Sequence, residues 1–116
     1  MKKSVQVGLL CAICCLSISS YAVDCLFSLE DLTTGKVEAA YFDSQEQSQS
    51  LSGGAVEISG FKAAYQADRG QNSETLTVDS PRGSSVGSQY ELGLLPKMTV
   101  RMTVDKESVA LLTCIR

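Results

Sequence analysis

The 116-residue chain contains no histidine and no tryptophan, and only two prolines. Without histidine the commonest general base is missing, so Ser-His-Asp and Cys-His catalytic arrangements are impossible. Without tryptophan there is no indole to stack on a sugar ring. No phosphate-binding glycine loop and no dinucleotide fingerprint occurs, so no cofactor is expected. Gly83-Ser84-Ser85-Val86-Gly87 sets serines between glycines, but the spacing is not that of a nucleophile elbow and no base could serve it. It reads as a loop. Basic residues are also in deficit, ten against thirteen acids. That balance argues against nucleic acid or an anionic membrane surface as the main partner, since both require a basic patch.

Long hydrophobic runs are absent except at the start. Met1-Lys2-Lys3 is basic, Val5 to Leu16 is nearly continuously apolar, and Ser17 to Ala22 is small and more polar. These are the three regions of a secretory signal. Ser20 and Ala22 suit the small-residue pockets of a signal peptidase, so cleavage is expected between Ala22 and Val23. Residues 4–23 are long enough to span a bilayer, but three serines thin the apolar character of the second half. The cysteines in this region lack the flanking residues of a lipoprotein site. No stable membrane anchor is therefore expected after cleavage. Processing leaves residues 23–116 as a single domain of 94 residues (116 less 22), near the lower end of ordinary domain size. Lys2 and Lys3 leave with the signal, so eight basic residues then face thirteen acids, a net charge of −5.

Five cysteines become two in the same step, because Cys11, Cys14 and Cys15 lie in the signal. Cys25 and Cys114 remain, near the two ends of the mature chain. An even count in an oxidising compartment reads as one disulfide joining the termini. With no histidine and no third mature cysteine, neither a zinc nor an iron–sulfur site can be assembled.

In the mature chain, period-2 alternation dominates and no longer segment is convincingly helical. Strands are expected over about 24–29 and 37–42, joined through Thr33-Thr34-Gly35-Lys36. The polar run from Asp43 to Ser50, closed by Gly53-Gly54, reads as a short helical turn or a solvated loop over 43–54. A single long strand is expected over 55–66. Val56 and Ile58 hold one register there, whereas Phe61, Ala63 and Tyr65 hold the other, so a β-bulge is placed at Gly60. Further strands are expected at Thr75–Asp79 and over 90–94, the latter ended by Pro96. The last hairpin is the clearest, with Met98, Val100, Met102 and Val104 answered across Asp105-Lys106-Glu107 by residues 109–115. The three phenylalanines are assigned to the core, with Tyr41, Tyr65 and Tyr90 partly buried. Ala110-Leu111-Leu112 is apolar on both faces, which suits a central strand. Six to seven short strands with turns between them specify an all-β antiparallel sandwich or small barrel.

Paired carboxylates are the only catalytic chemistry still open: Asp68 with Glu74, Asp43 with Glu46, and Asp105 with Glu107. Such pairs can hydrolyse glycosides when held across a cleft. In a domain this small, acids near turns are more simply solvated surface, and no catalytic residue is assigned. Asp68, Asn72 and Glu74 could offer oxygens to calcium, but the spacing matches no EF-hand, and no metal site is assigned either. The expected function is that of a non-enzymatic binding protein, periplasmic or secreted, whose partner is another envelope or extracellular protein. The Met-Lys-Lys start favours the periplasm. The alternatives are a small secreted inhibitor of a hydrolase, presenting a loop over 43–54 or 80–89, and a carboxylate-based hydrolase.

Overall fold

In a computed structural model the described residues are 22–116; residues 1–21, all but the last residue of the expected signal 1–22, lie outside them. The described chain forms nine strands and no helix: β1 (Asp24–Asp31), β2 (Val37–Asp43), β3 (Gln45–Glu46), β4 (Leu51–Ile58), β5 (Phe61–Asp68), β6 (Ser73–Asp79), β7 (Ser85–Glu91), β8 (Lys97–Val104) and β9 (Ser108–Ile115). They make two antiparallel sheets, β2-β1-β9-β8 and β3-β4-β5-β6-β7, packed face to face as a sandwich. Alternation turns directly into packing. Phe27, Leu112, Cys25, Cys114, Met98 and Val100 from the first sheet meet Phe61, Tyr65, Leu76 and Val78 from the second. Ala63 and Ala67 leave room between them for these larger side chains. Each fully buried Leu, Phe or Met adds about 1.5–3 kcal/mol of hydrophobic stabilisation.

Cys25 and Cys114 are bonded, and they stand directly opposite each other in β1 and β9 with Cα atoms 4.1 Å apart. The bridge therefore joins neighbouring strands of one sheet. β9 lies between β1 and β8, the central position expected from its two apolar faces.

Several sequence-based expectations are corrected. The bulge at Gly60 is a hairpin: β4 and β5 are separate strands, and Ile58 pairs with Phe61 around Ser59-Gly60. Both turn residues have positive φ, 52° and 85°, as in a two-residue type I′ loop. Such a loop sets residues i and i+3 opposite each other on one face, so the inward register changes from even to odd numbers. A bulge leaves the same imprint on the sequence, and the imprint alone cannot separate them. The 43–54 loop is also largely framework. Asp43 ends β2, Gln45–Glu46 pairs with Ser52–Gly53, and the glycines lie inside β4 and do not act as a hinge. A Cβ at Gly53 would collide with the Tyr65 carbonyl, and one at Gly54 would stand 2.8 Å from the Asp43 carbonyl, where the two sheets meet. Tyr90 ends a strand rather than starting one, because β7 is followed by a turn at Gly93 (φ +77°). Among the aromatics, Phe42 is half-buried, Tyr65 is fully buried, and Tyr41 is 79 % exposed.

Candidate functional site

The outward-facing residues of a sandwich should be polar. In the five-stranded sheet most of them are, the exceptions being Leu51, Ala55 and Ala64. Lys62, Gln66, Thr75, Thr77, Asp79 and Gln89 point away from the core, and none of the exposed large hydrophobic residues stands on that face. The outer face of the four-stranded sheet is different. Leu26 stands between Tyr41 on β2 and Thr113 on β9, and Asp24 stands beside Ile115 on β9. Leu111, Val109 and Val37 continue the same face along the strands. Tyr41, Val37 and Ile115 are 79 %, 59 % and 50 % exposed. Asp24, Leu26, Tyr41, Thr113 and Ile115 line a shallow depression of about 240 Å³. The charged residues of this sheet face divide by side: Asp24, Asp43 and Glu30 lie on β1 and β2, whereas Lys97 and Arg101 lie on β8. None of these five charges forms an ion pair among the described residues. The apolar character comes chiefly from β9, whose two alternating sets are both apolar and which sequence reasoning read only as central; β1 adds Leu26 to this face, its other outward residues being Asp24, Ser28 and Glu30.

The carboxylate pairs do not come together. Ala67 pairs with Glu74 and faces the core with it, so Asp68, one residue on, lies on the opposite face of the sheet. Asp68 Oδ1 accepts the N–H groups of Gly70 and Gln71 at 2.9 and 3.2 Å, a turn of its own. Asp43 stands beside Asp24 at the end of β2, while Glu46 pairs with Arg69 at 3.2 Å. Asp105 pairs with Arg82, whereas Glu107 bonds through its backbone, its carbonyl accepting from Leu32 and its N–H donating to Val104. Among the described residues no group of three or more acidic or thiol side chains is placed to hold a metal ion. Asn72 is a turn residue with φ 53°, and the oxygens of Glu74 are already occupied, so Asp68, Asn72 and Glu74 make no calcium cage.

Glu74 is the chief surprise. It is fully buried, and its carboxylate accepts four hydrogen bonds. Arg116 donates from both terminal nitrogens at 2.9 and 2.7 Å, the Tyr65 hydroxyl donates at 2.7 Å, and the Gly93 N–H donates at 2.9 Å. Arg116 also reaches the Leu95 carbonyl. Burial pushes the Glu74 carboxyl up, but the bonds from Arg116, Tyr65 and Gly93 outweigh it and hold the group below the usual carboxylate range. Burial, with the adjacent carboxylate, drives the Tyr65 phenol in the opposite direction, well above its ordinary value. Every oxygen is matched, so the cluster is a closed structural lock tying β5, β6, the β7–β8 turn and the chain beyond β9. Its signal was present in the sequence: Glu74 continues the inward set of Leu76 and Val78, and Arg116 continues that of Leu112 and Cys114.

At the other end of the sandwich an opening of about 340 Å³ is lined by Leu29, Phe61, Asp31, Lys36 and Glu38. Its charges are engaged locally. Thr33 donates to Asp31 from its hydroxyl and its N–H and holds that carboxyl below its ordinary value, and Lys36 approaches Glu38 at 3.9 Å.

No family model, no curated protein and no solved structure matches the chain.

Proposed function

We propose that the chain is an exported, non-enzymatic protein-binding module of the periplasm or extracellular space, and that the outer face of the β2-β1-β9-β8 sheet is its recognition surface. The observation that carries this reading is the contrast between the two outer faces of one sandwich. One is mostly polar; the other exposes Tyr41 and Ile115 beside a half-buried Leu26, with Val37 further along β2. Contiguous exposed apolar surface rimmed by charge marks an interaction site more often than it marks a free surface. Tyrosine suits such a site, because it offers a large apolar area with a polar tip and few rotatable bonds.

Export is supported by the basic-apolar-small start of the sequence and by the buried Cys25–Cys114 bridge, a bond that persists in oxidising compartments. The segments favoured by the inhibitor reading are tied down. Arg69 donates to the carbonyls of Ser48 and Gln49 and to Glu46, and residues 85–89 belong to β7.

The test is affinity capture from an envelope extract with the wild-type protein and with Tyr41→Lys, both checked by circular dichroism. The expected result is a discrete partner retained by the wild type and lost by the variant. Equal capture by both would reject this face as the recognition surface.

A further inference from the structure

We infer that the partner for this face is a second copy of the same chain, joined about a two-fold axis lying in the interface and running parallel to the strands between β1 and β9. The inference rests on the reading of that face as a recognition surface and adds the identity of what covers it.

The register orders the face into rows. One row runs Asp43, Asp24, Ile115, Lys97 across the four strands; the next runs Tyr41, Leu26, Thr113, Thr99. In the third row Arg101 again stands on the β8 margin. Acids thus occupy one side and bases the other, with apolar side chains between. A two-fold axis parallel to the strands lays β2 of one copy over β8 of the other and β1 over β9. It therefore sets Lys97 over Asp43 twice, once for each copy, and Arg101 one row from Tyr41, a pairing that favours cation–π contact. These charges have no ion-pair partner among the described residues, so pairing them displaces no existing bridge.

An axis running across the strands is the other way to lay two copies face to face. It would set Asp24 over Glu30, and like-charge juxtaposition suppresses association. Charge placement thus selects one arrangement. The interface is isologous, with the same patch used by both copies, which closes the assembly at two. Size is adequate. With strands about 4.8 Å apart and about 3.3 Å per residue, four strands of eight residues cover roughly 500 Å². Two copies then bury about 1,000 Å², the lower bound for a specific interface, so a reversible dimer is expected rather than a permanent one.

Sedimentation velocity on the oxidised protein, as processed by the cell, tests this from about 1 μM to about 1 mM. The expected result is a monomer–dimer equilibrium inside that range. Tyr41→Lys should leave the protein folded and monomeric. Lys97→Asp should weaken the dimer at least about tenfold, and Asp43→Lys added to it should restore the affinity to within about threefold. Failure of the double swap to restore affinity overturns the arrangement, and a dimer unaffected by Tyr41→Lys overturns the use of this face. A monomer throughout overturns the second copy as the occupant. In that case, a different protein captured by the wild type but not by Tyr41→Lys would leave the recognition surface standing. Capture indifferent to Tyr41→Lys would remove both readings.

Discussion

Arg116 grips the buried carboxylate of Glu74 with both terminal guanidinium nitrogens, at 2.9 and 2.7 Å, and no part of Glu74 reaches solvent. Removing one member of such a pair costs more than the pair contributes, because the other charge is left in a low dielectric. Arg116→Met should therefore lower stability by about 3–5 kcal/mol, measured by urea unfolding.

The pH dependence of that variant should change sign. In the wild type the folded-state pKa of Glu74 lies below its unfolded value. The unfolded chain thus binds the proton first, and this contribution is complete above the unfolded pKa and lost as pH falls through the folded one. Without Arg116, burial is the largest remaining influence and raises the folded pKa. Folding then favours the protonated acid, and stability attributable to Glu74 should grow as pH falls. Urea midpoints taken between pH 7 and pH 3, against Glu74→Gln as a control, read the difference. Parallel wild-type and Arg116→Met curves would refute the assignment.

The sequence made the frame of the molecule legible where alternation was unbroken and flanked by turns. β1, β2, β8 and β9 lie where the alternation of residues 24–29, 37–42, 98–104 and 109–115 sets them. Cys25 and Cys114 implied that the first and last strands end close together, and β1 and β9 are in fact neighbours. Legibility failed where two different backbones leave one pattern, as at Ser59-Gly60, or where a strand is polar, as at Gln45–Glu46 and Ser85–Gln89. The candidate site was hidden for another reason. Whether Leu26 and Tyr41 share an open face depends on what the topology leaves uncovered, and strand order is not written in any local pattern.

Ser52 faces the core from β4 at 5 % exposure, and its hydroxyl has no hydrogen-bond partner among the described residues. A buried hydroxyl left unpaired costs about 1–3 kcal/mol. Ser52→Ala removes that cost while keeping the Cβ, so thermal unfolding should shift upward. A downward shift would mean that the hydroxyl has a partner in solution.

The bridge between Cys25 and Cys114 closes 89 residues. In the chain-entropy model such a loop contributes about 4–5 kcal/mol, a large part of the 5–15 kcal/mol (roughly) that holds an ordinary domain together. Cys25→Ser/Cys114→Ser also puts two hydroxyls into the core. The double variant should melt many degrees lower, and an unchanged melting temperature would rule out a stabilising role.

The β4–β5 turn tests the hairpin assignment directly. Ser59 and Gly60 both hold left-handed backbone, at 52° and 85°. Asparagine tolerates that region better than serine, and Asn-Gly is a favoured pair for a type I′ loop. Ser59→Asn should therefore stabilise the domain, by a few tenths of a kcal/mol on the scale of turn substitutions. Gly60→Val should do the reverse. A β-branched residue resists positive φ, and even a Cβ at position 60 would stand 3.0 Å from that of Pro81. The two variants together separate the turn from a bulge. In a bulge, position 59 would need no left-handed backbone and Ser59→Asn would bring no gain. Opposite shifts from the two substitutions, read by urea midpoint, are what the two-residue hairpin requires.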